Sequence, residues 1–335
     1  DRLLHAGNGF LRPTCWPPSF GGMKVLAVIG VTVFVVSASA QATSSRSDGG
    51  TPKTVLWRIT SDPSLRASYL LGTVHSRDDR AFQWGDSLVP AMHSVDLVAG
   101  ELDLEQDQRK ILSVMPMAMM PGGRSLQSLY RKREWKEVNA ALQEKLGYMV
   151  GMVSRVKPFF VILMMSGSEV DGPHEHVLDE TIMRMAGSEG KEVIGLETMQ
   201  EQMAALDVLP LDRQARLLLE FVRSGDEGSE MDAMLDAYAA QDLDELMRVM
   251  EASPTMPTEM DASLIVERNK RMAHRMDSIM VDGTCGFFAV GAGHLPRVTG
   301  IIALLRARGY RVEPVYSSYT KPKEPKLPPE DDKDR

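Results

Sequence analysis

Two histidines stand where their type and spacing could support chemistry. His75 closes Gly72-Thr73-Val74-His75, and His294 closes Gly291-Ala292-Gly293-His294, so both motifs are Gly-x-x-His. Each ends an apolar run and each precedes a helix-sized segment. Imidazole is a metal ligand and a proton shuttle near neutral pH. A glycine just before it permits a sharp backbone turn or a close approach to a ligand. With 27 Gly and 7 His in the chain, the bare pattern says little, and the shared context says more. One such histidine alone fits a hydrogen-bonded structural role. The pair fits two halves of one polar site.

Two neutral imidazoles hold a divalent ion only loosely. A hydrolytic metal site adds a carboxylate and keeps a position open for water. Glu101 is the first candidate, because it ends the apolar run Val98-Ala99-Gly100, where a charge is costly unless paired or metal-bound. Asp103 alternates onto the same strand face and competes with it. Glu197, in Ile194-Gly195-Leu196-Glu197-Thr198, has a similar setting. It is either a second strand-end carboxylate or the N-terminal carboxylate of a helix beginning at Met199. Arg268, in Glu267-Arg268-Asn269-Lys270-Arg271-Met272, is a permanent planar cation suited to a substrate carboxylate or a developing oxyanion. A solvated charge face suits Lys270 and Arg271 better than Arg268.

Other polar and soft residues are expected to be structural. His174 and His176, two apart and beside Pro173, suit an exposed loop. The methionines from Met115 to Met120 suit a pliable core or lid. There is no Gly-rich phosphate loop, Gly-x-Ser-x-Gly elbow or His-Glu-x-x-His helix.

Short strands are expected to position these groups. Val55–Thr60 and Ser68–Val74 flank a turn at Asp62-Pro63-Ser64 and predict a hairpin. Further strand-like runs are Asp96–Leu102, Glu192–Leu196, Gly286–Val290 and Arg311–Tyr316. Helical spacing marks Arg133–Leu146, Arg213–Arg223, Ile265–Met280 and Val298–Arg308. The expected fold class is α/β: a central sheet built from N- and C-terminal strand–Gly-x-x-His–helix–strand units, with a large helical insertion between them. Each histidine then lies at the carboxyl end of a strand, where open α/β sheets place their ligands.

Segments outside that domain have their own signatures. Residues 1–22 lack an initial Met and show no regular period, as expected of a mis-assigned start region. Met23-Lys24, the apolar run Val25–Val36 and the small residues Ala38 and Ala40 have the three-part layout of a secretory signal peptide over 23–40. The apolar run is short for a bilayer span of about 20 residues, so no stable membrane span is expected after cleavage. Residues 41–52 suit a flexible linker, 53–320 one domain, and 321–335 a charged, Pro-rich disordered tail. The expected location is periplasmic or secreted.

Composition narrows the partners. The 335 residues are 43% apolar and 25% charged, which suits a globular protein, and the net charge is -8. An acidic surface repels phosphate backbones, so no nucleic-acid partner is expected. Of the two cysteines, Cys15 lies in the start region and Cys285 opens an apolar strand. No internal disulfide or Cys-based metal cluster is therefore expected, and Cys285 fits a buried, inert thiol.

Taken in order, YLLGTVHS around His75, GELDL at Glu101, KEVIGLET at Glu197, ERNKRMAHRM at Arg268 and FAVGAGHLPRVTGIIALLRARGYRVEPV through His294 resemble the TraB/GumN/PrgY family. That family is related to the Tiki metalloproteases and, more distantly, to erythromycin-esterase-like proteins. The resemblance covers nearly all of the chain after residue 52. It implies that two Gly-x-x-His motifs, a Glu and an Arg line one cleft, at His75, Glu101, Arg268 and His294. Asp179 and Glu197 also match acidic positions. In the Tiki branch it implies divalent-metal-dependent peptide cleavage. The expectation is thus a hydrolase acting on a peptide or small molecule, with Mn²⁺, Co²⁺ or Zn²⁺ held by His75, His294 and Glu101. Glu101, Glu197 and Arg268 are the expected catalytic groups. Two rivals stand beside it: a metal-free esterase- or amidase-like hydrolase with histidine as general base, and a non-catalytic binder of peptide or glycan. Bacterial members are linked to polysaccharide clusters and to peptide pheromone shutdown, so the family label does not fix the substrate.

Overall fold

The computed structural model describes residues 51–62, 64–103, 113–166, 172–224, 227–252 and 262–319. The expected start region, signal peptide and tail, and the linker as far as residue 50, lie outside these residues. Thr51, at the end of the expected linker, bonds through its N–H and hydroxyl to the Asp244 carboxylate at 2.9 and 2.7 Å.

All six expected strand regions are found, five of them shortened by one to three residues and the one that begins at Gly286 longer by one. They are β1 (Leu56–Thr60), β2 (Ser68–Thr73), β3 (Leu97–Gly100), β4 (Glu192–Gly195), β5 (Gly286–Gly291) and β6 (Arg311–Pro314). They form one sheet in the order β4-β3-β5-β2-β1-β6. β4, β3, β5 and β2 run parallel, while β1 is antiparallel to both β2 and β6. The fold is mixed α/β. Every residue of β3 and β5 is buried. That explains their unbroken apolar runs, because central parallel strands are covered on both faces.

The strand order places β5 between β2 and β3, although it follows them by almost 200 residues. Thr73 on β2 lies opposite Gly291 on β5, and Ala99 on β3 lies opposite Phe288. The carboxyl ends of the early and late strands therefore share one edge.

Two apolar clusters hold the fold. One surrounds the sheet, with Leu70, Val98, Phe287, Phe288 and Val290 at its centre. The other lies among helices between β3 and the C-terminal strands and includes Val138, Leu142, Phe159, Leu217 and Leu218. Helix Lys132–Leu146 contributes Val138 and Leu142 to it, four residues apart on one face. Two helix expectations are corrected. Residues Ala262–Val266 form a π-turn, and the α-helix begins only at Glu267 and ends at Val281. The C-terminal helix starts at Ile301 rather than Val298, because a tight turn precedes it. Arg297 is left-handed there, at φ 73°, and a Cβ on Gly300 would lie 1.9 Å from the Pro296 carbonyl oxygen. Among the described residues, no helix is long and apolar enough to cross a membrane.

Candidate active site

The shared edge gathers the candidate residues. Beyond Thr73 the chain runs to His75, and beyond Gly291 a single 3-10 turn, Ala292–His294, carries the second histidine. The two motifs press on each other. A Cβ on Gly72 would lie 3.0 Å from both the Ala292 Cα and the Leu295 Cδ2. Gly291 has φ -51° and Gly72 is not left-handed either, so the expected sharp turn is not what either glycine provides. At Gly72 the need is close approach, and the neighbour is the other motif. The Gly72 carbonyl accepts from the buried Tyr238 hydroxyl at 2.9 Å.

Glu101 follows β3 and turns its carboxylate toward β5. Its Oε1 accepts from the Gly291 N–H at 2.8 Å. Its Oε2 accepts from Arg268 Nη2 at 2.6 Å and from Gln202 Nε2 at 3.2 Å. Burial alone would push this carboxyl up. The Arg268 guanidinium, the adjacent His294 and the Gly291 N–H outweigh burial and hold its pKa at about 2.

Arg268 reaches this point from helix Glu267–Val281 and is itself 2% exposed. Its Nε donates to Glu197 Oε2 at 2.7 Å, so one guanidinium bridges two buried carboxylates. Arg271 Nη2 donates to Glu197 Oε1 at 3.0 Å. Two carboxylates and two guanidiniums thus balance in charge, the condition under which ions persist in an interior. The backbone brings the acids together as well. Glu197 N–H donates to the Glu101 carbonyl at 2.7 Å, and a Cβ on Gly195 would lie 2.6 Å from the Asp103 nitrogen. Arg271 closes this network while its side chain stays 34% exposed, so the solvated face expected of it is found only in part. Lys270 is solvated as expected and pairs with Glu267.

His294 is 1% exposed. Its Nδ1 lies 2.6 Å from Asn269 Oδ1, and its Nε2 lies 3.7 Å from Glu101 Oε1 with no hydrogen-bond partner. Burial, together with the Arg268 charge, lowers its pKa to about 3, against the opposing pull of Glu101. The imidazole is therefore neutral at pH 7. His75 is more open, and its Nδ1 lies 3.6 Å from Asp179 Oδ2. Asp179 Oδ1 accepts a short hydrogen bond from the Thr73 hydroxyl, and its Oδ2 is buried without a partner.

A loop anchors Asp179. Arg77 Nε donates to the His174 carbonyl at 2.5 Å, and Leu178 N–H donates to the Ser76 carbonyl at 3.2 Å. The segment after His75 and the segment before Asp179 are thereby laced together. His174 and His176 lie in this partly exposed loop, in structural contacts of their own. The His174 ring stacks on Phe82 at 3.6 Å and meets Asp79 Oδ1 at 3.0 Å, while His176 Nδ1 lies 3.1 Å from Glu180. Cys285 is buried, and burial raises its thiol pKa, as an inert role requires. Met115, Met119 and Met120 line a cavity of about 830 Å³ with Lys157, Asp207 and Gln214, none of them a candidate catalytic residue.

A divalent cation fits the donor chemistry of this edge. A neutral imidazole nitrogen and a carboxylate oxygen face each other with no hydrogen bond between them, and a second buried carboxylate oxygen stands unpartnered beside the other imidazole. Among the described residues, no three His, Cys, Asp or Glu side chains already converge on one point. The donors form two pairs, His294 with Glu101 and His75 with Asp179. Sequence reasoning missed Asn269, Gln202, Thr73 and Tyr238. Thr73, inside the first Gly-x-x-His motif, and Asn269, the residue after Arg268, carry local signals; Gln202 and Tyr238 carry none.

The TraB/PrgY/gumN family profile matches residues 55–314, which include both Gly-x-x-His motifs and the Glu101–Arg268–Glu197 bridge. The chain belongs to the TraB/PrgY/gumN family. Among relatives of this TraB/PrgY/gumN chain, Metalloprotease TIKI2 of Danio rerio is 25% identical, over 81% of this chain and 61% of its own length. Metalloprotease TIKI2 of Xenopus tropicalis is 26% identical, over 83% of this chain and 63% of its own length. The Metalloprotease TIKI homolog of Amphimedon queenslandica is 24% identical, over 90% and 69% respectively. The chain thus spans less than two thirds of the length of the two TIKI2 proteins. No solved structure matches it.

Proposed function

We propose that this chain is an exported metal-dependent hydrolase acting on peptides, with its centre where the two Gly-x-x-His units meet. The observation that carries the reading is the buried, unpartnered Nε2 of His294 facing the Glu101 carboxylate at 3.7 Å. A neutral nitrogen lone pair and an anionic oxygen, both out of water, are costly to leave without a shared cation or proton. The likeness to proteins named as metalloproteases supports the same chemistry. Export rests on the signal-like segment 23–40 and would place the protein in the periplasm or outside the cell.

In this reading His294, His75 and Glu101 hold the ion, which is Mn²⁺, Co²⁺ or Zn²⁺. Once bound, such an ion polarises a carbonyl and acidifies water. The protein's own groups divide the remaining work. Glu101 and Glu197 each have donors on both carboxylate oxygens, so neither is poised to take a proton. Asp179 has a buried oxygen without a donor and is the proton acceptor we assign. Arg268 acts through Glu101, fixing its direction and keeping it ionised, and Glu197 holds Arg268 in place. A second reading, metal-free hydrolysis with His75 as base and Asp179 orienting it, is favoured by their 3.6 Å approach.

The deciding experiment screens a peptide library with purified protein before and after chelation, then with Mn²⁺, Co²⁺ or Zn²⁺ restored. Cleavage that disappears and returns supports the proposal. Cleavage that survives thorough chelation rejects the metal and leaves the second reading. Peptide binding without turnover, in the parent and in His75→Ala alike, would make the protein a binder.

A further inference from the structure

Asn269 is fully buried, and both ends of its amide are committed. Its Nδ2 donates to the Thr299 carbonyl at 2.9 Å. A backbone carbonyl only accepts, so this bond fixes the amide's orientation, with nitrogen toward Thr299 and oxygen toward His294. Oδ1 then lies 2.6 Å from His294 Nδ1. An amide oxygen also only accepts. An imidazole carrying one proton must therefore hold it on Nδ1, and Nε2 keeps its lone pair.

Left to its other neighbour, His294 would choose differently. Nε2 lies 3.7 Å from Glu101 Oε1, which is an anion. A proton on Nε2 would convert that gap into a charge-assisted hydrogen bond after a small side-chain rotation. The gap would then be closed from within the protein. Asn269 opposes this outcome because the contrary tautomer would leave its buried Oδ1 without a donor.

We infer that Asn269 is a positioning residue that pins His294 in the Nδ1–H tautomer and keeps Nε2 bare toward Glu101. Thr299 sets the amide, the amide sets the ring, and the ring presents one defined lone pair. What that lone pair is for rests on the proposed function, in which it ligates a divalent cation; its existence does not. A buried amide in this role does for a ligand histidine what a carbonyl or carboxylate does elsewhere, fixing tautomer and ring angle together.

Nitrogen-15 NMR of histidine-labelled, metal-stripped protein at neutral pH reads the tautomer directly, with His294→Gln used to assign the signal. The expected result is a proton on Nδ1 in the parent and in Asn269→Asp, which keeps an oxygen acceptor. In Asn269→Leu the proton is expected to move to Nε2. Zn²⁺ affinity is expected to fall by about 10- to 100-fold in Asn269→Leu and far less in Asn269→Asp. A parent whose His294 proton sits on Nε2 overturns the inference without any variant having to fold. So does an unchanged tautomer in folded Asn269→Leu. A parent with the proton on Nδ1 that binds no Zn²⁺, Mn²⁺ or Co²⁺ supports the tautomer assignment and defeats the metal reading instead.

Discussion

Arg268 Nη2 lies 2.6 Å from Glu101 Oε2, with the two side chains 2% and 11% exposed, so a short ionic contact at the sheet edge is also poorly hydrated. The same guanidinium holds Glu197 through Nε. A planar fork holds the two carboxylates, which follow neighbouring strands, in fixed directions, and the rotatable ammonium of a lysine would hold them less firmly. The orientation of Glu101 toward His294 therefore depends on a cation delivered from a helix some 170 residues away in sequence.

Arg268→Met is expected to be severely destabilising. It would leave Glu101 and Glu197 buried with Arg271 as the one remaining guanidinium of the network. Breaking a buried pair from one side costs about 3–5 kcal/mol. Arg268→Lys should fall between the parent and Arg268→Met, because an ammonium keeps the charge but not the fixed fork. Urea denaturation with an unchanged slope would measure both. A loss below about 1 kcal/mol for the Met variant would mean that the network is not held as described.

Gly172→Ala should disturb the site from outside it. A Cβ there would lie 2.0 Å from the Arg77 carbonyl oxygen, a backbone atom that cannot yield without moving the chain after His75. The laced segments would separate, and Asp179 would draw away from His75. Overpacking of this kind costs about 1–3 kcal/mol. Hydrogen exchange should accelerate at the Leu178 amide, which donates to Ser76. Parent-like protection at that amide would count against the lacing.

Metal-stripped protein should lose stability as the medium is acidified below neutrality. His294 has a folded pKa of about 3 against an ordinary 6.5, so between those values the unfolded chain binds a proton that the folded one does not. Stability is then fully present above pH 6.5 and declines toward pH 3, by up to about 1.4 kcal/mol per pH unit from this group. Glu101, with a folded pKa of about 2 against 4.5, adds a further loss of the same sign at lower pH. Denaturant midpoints measured from pH 7 to pH 4 would test this. A folded His294→Asn variant should show a flatter profile over that range, and an identical slope would remove His294 as the cause.

The central strands are legible because each is a short apolar run, and Glu101 stands out because it breaks such a run. The pairing of those strands is not legible. β5 inserts between β2 and β3, and the Gly291–Glu101 hydrogen bond joins residues 190 apart, a closure that no local pattern encodes. Arg271 looks like a surface charge because helical charge runs usually are solvated. Its turn toward Glu197 depends on the docking angle of helix Glu267–Val281. Asn269 is hidden for a similar reason: an amide's role depends on what faces each of its two ends. Glycine at position 72 is legible as special, but its reason lies across the sheet.

That reason supplies a paired prediction within the motifs themselves. At Gly72 an added methyl would meet the Ala292 Cα at 3.0 Å, and Ala292 is backbone of the opposing motif that cannot swing aside. At Gly293 the nearest atom would be the Met250 Cε at 2.9 Å, the far end of a flexible side chain. Neither glycine is left-handed, so backbone strain does not separate them. Gly72→Ala should therefore cost about 1–3 kcal/mol by pushing the two histidine-bearing turns apart. Gly293→Ala should cost less, since methionine repacks readily and alanine restricts the unfolded chain. Thermal or urea unfolding of the two variants side by side gives the ranking. Equal losses, or a larger one at Gly293, would show that the early and late motifs do not bear on each other through Gly72.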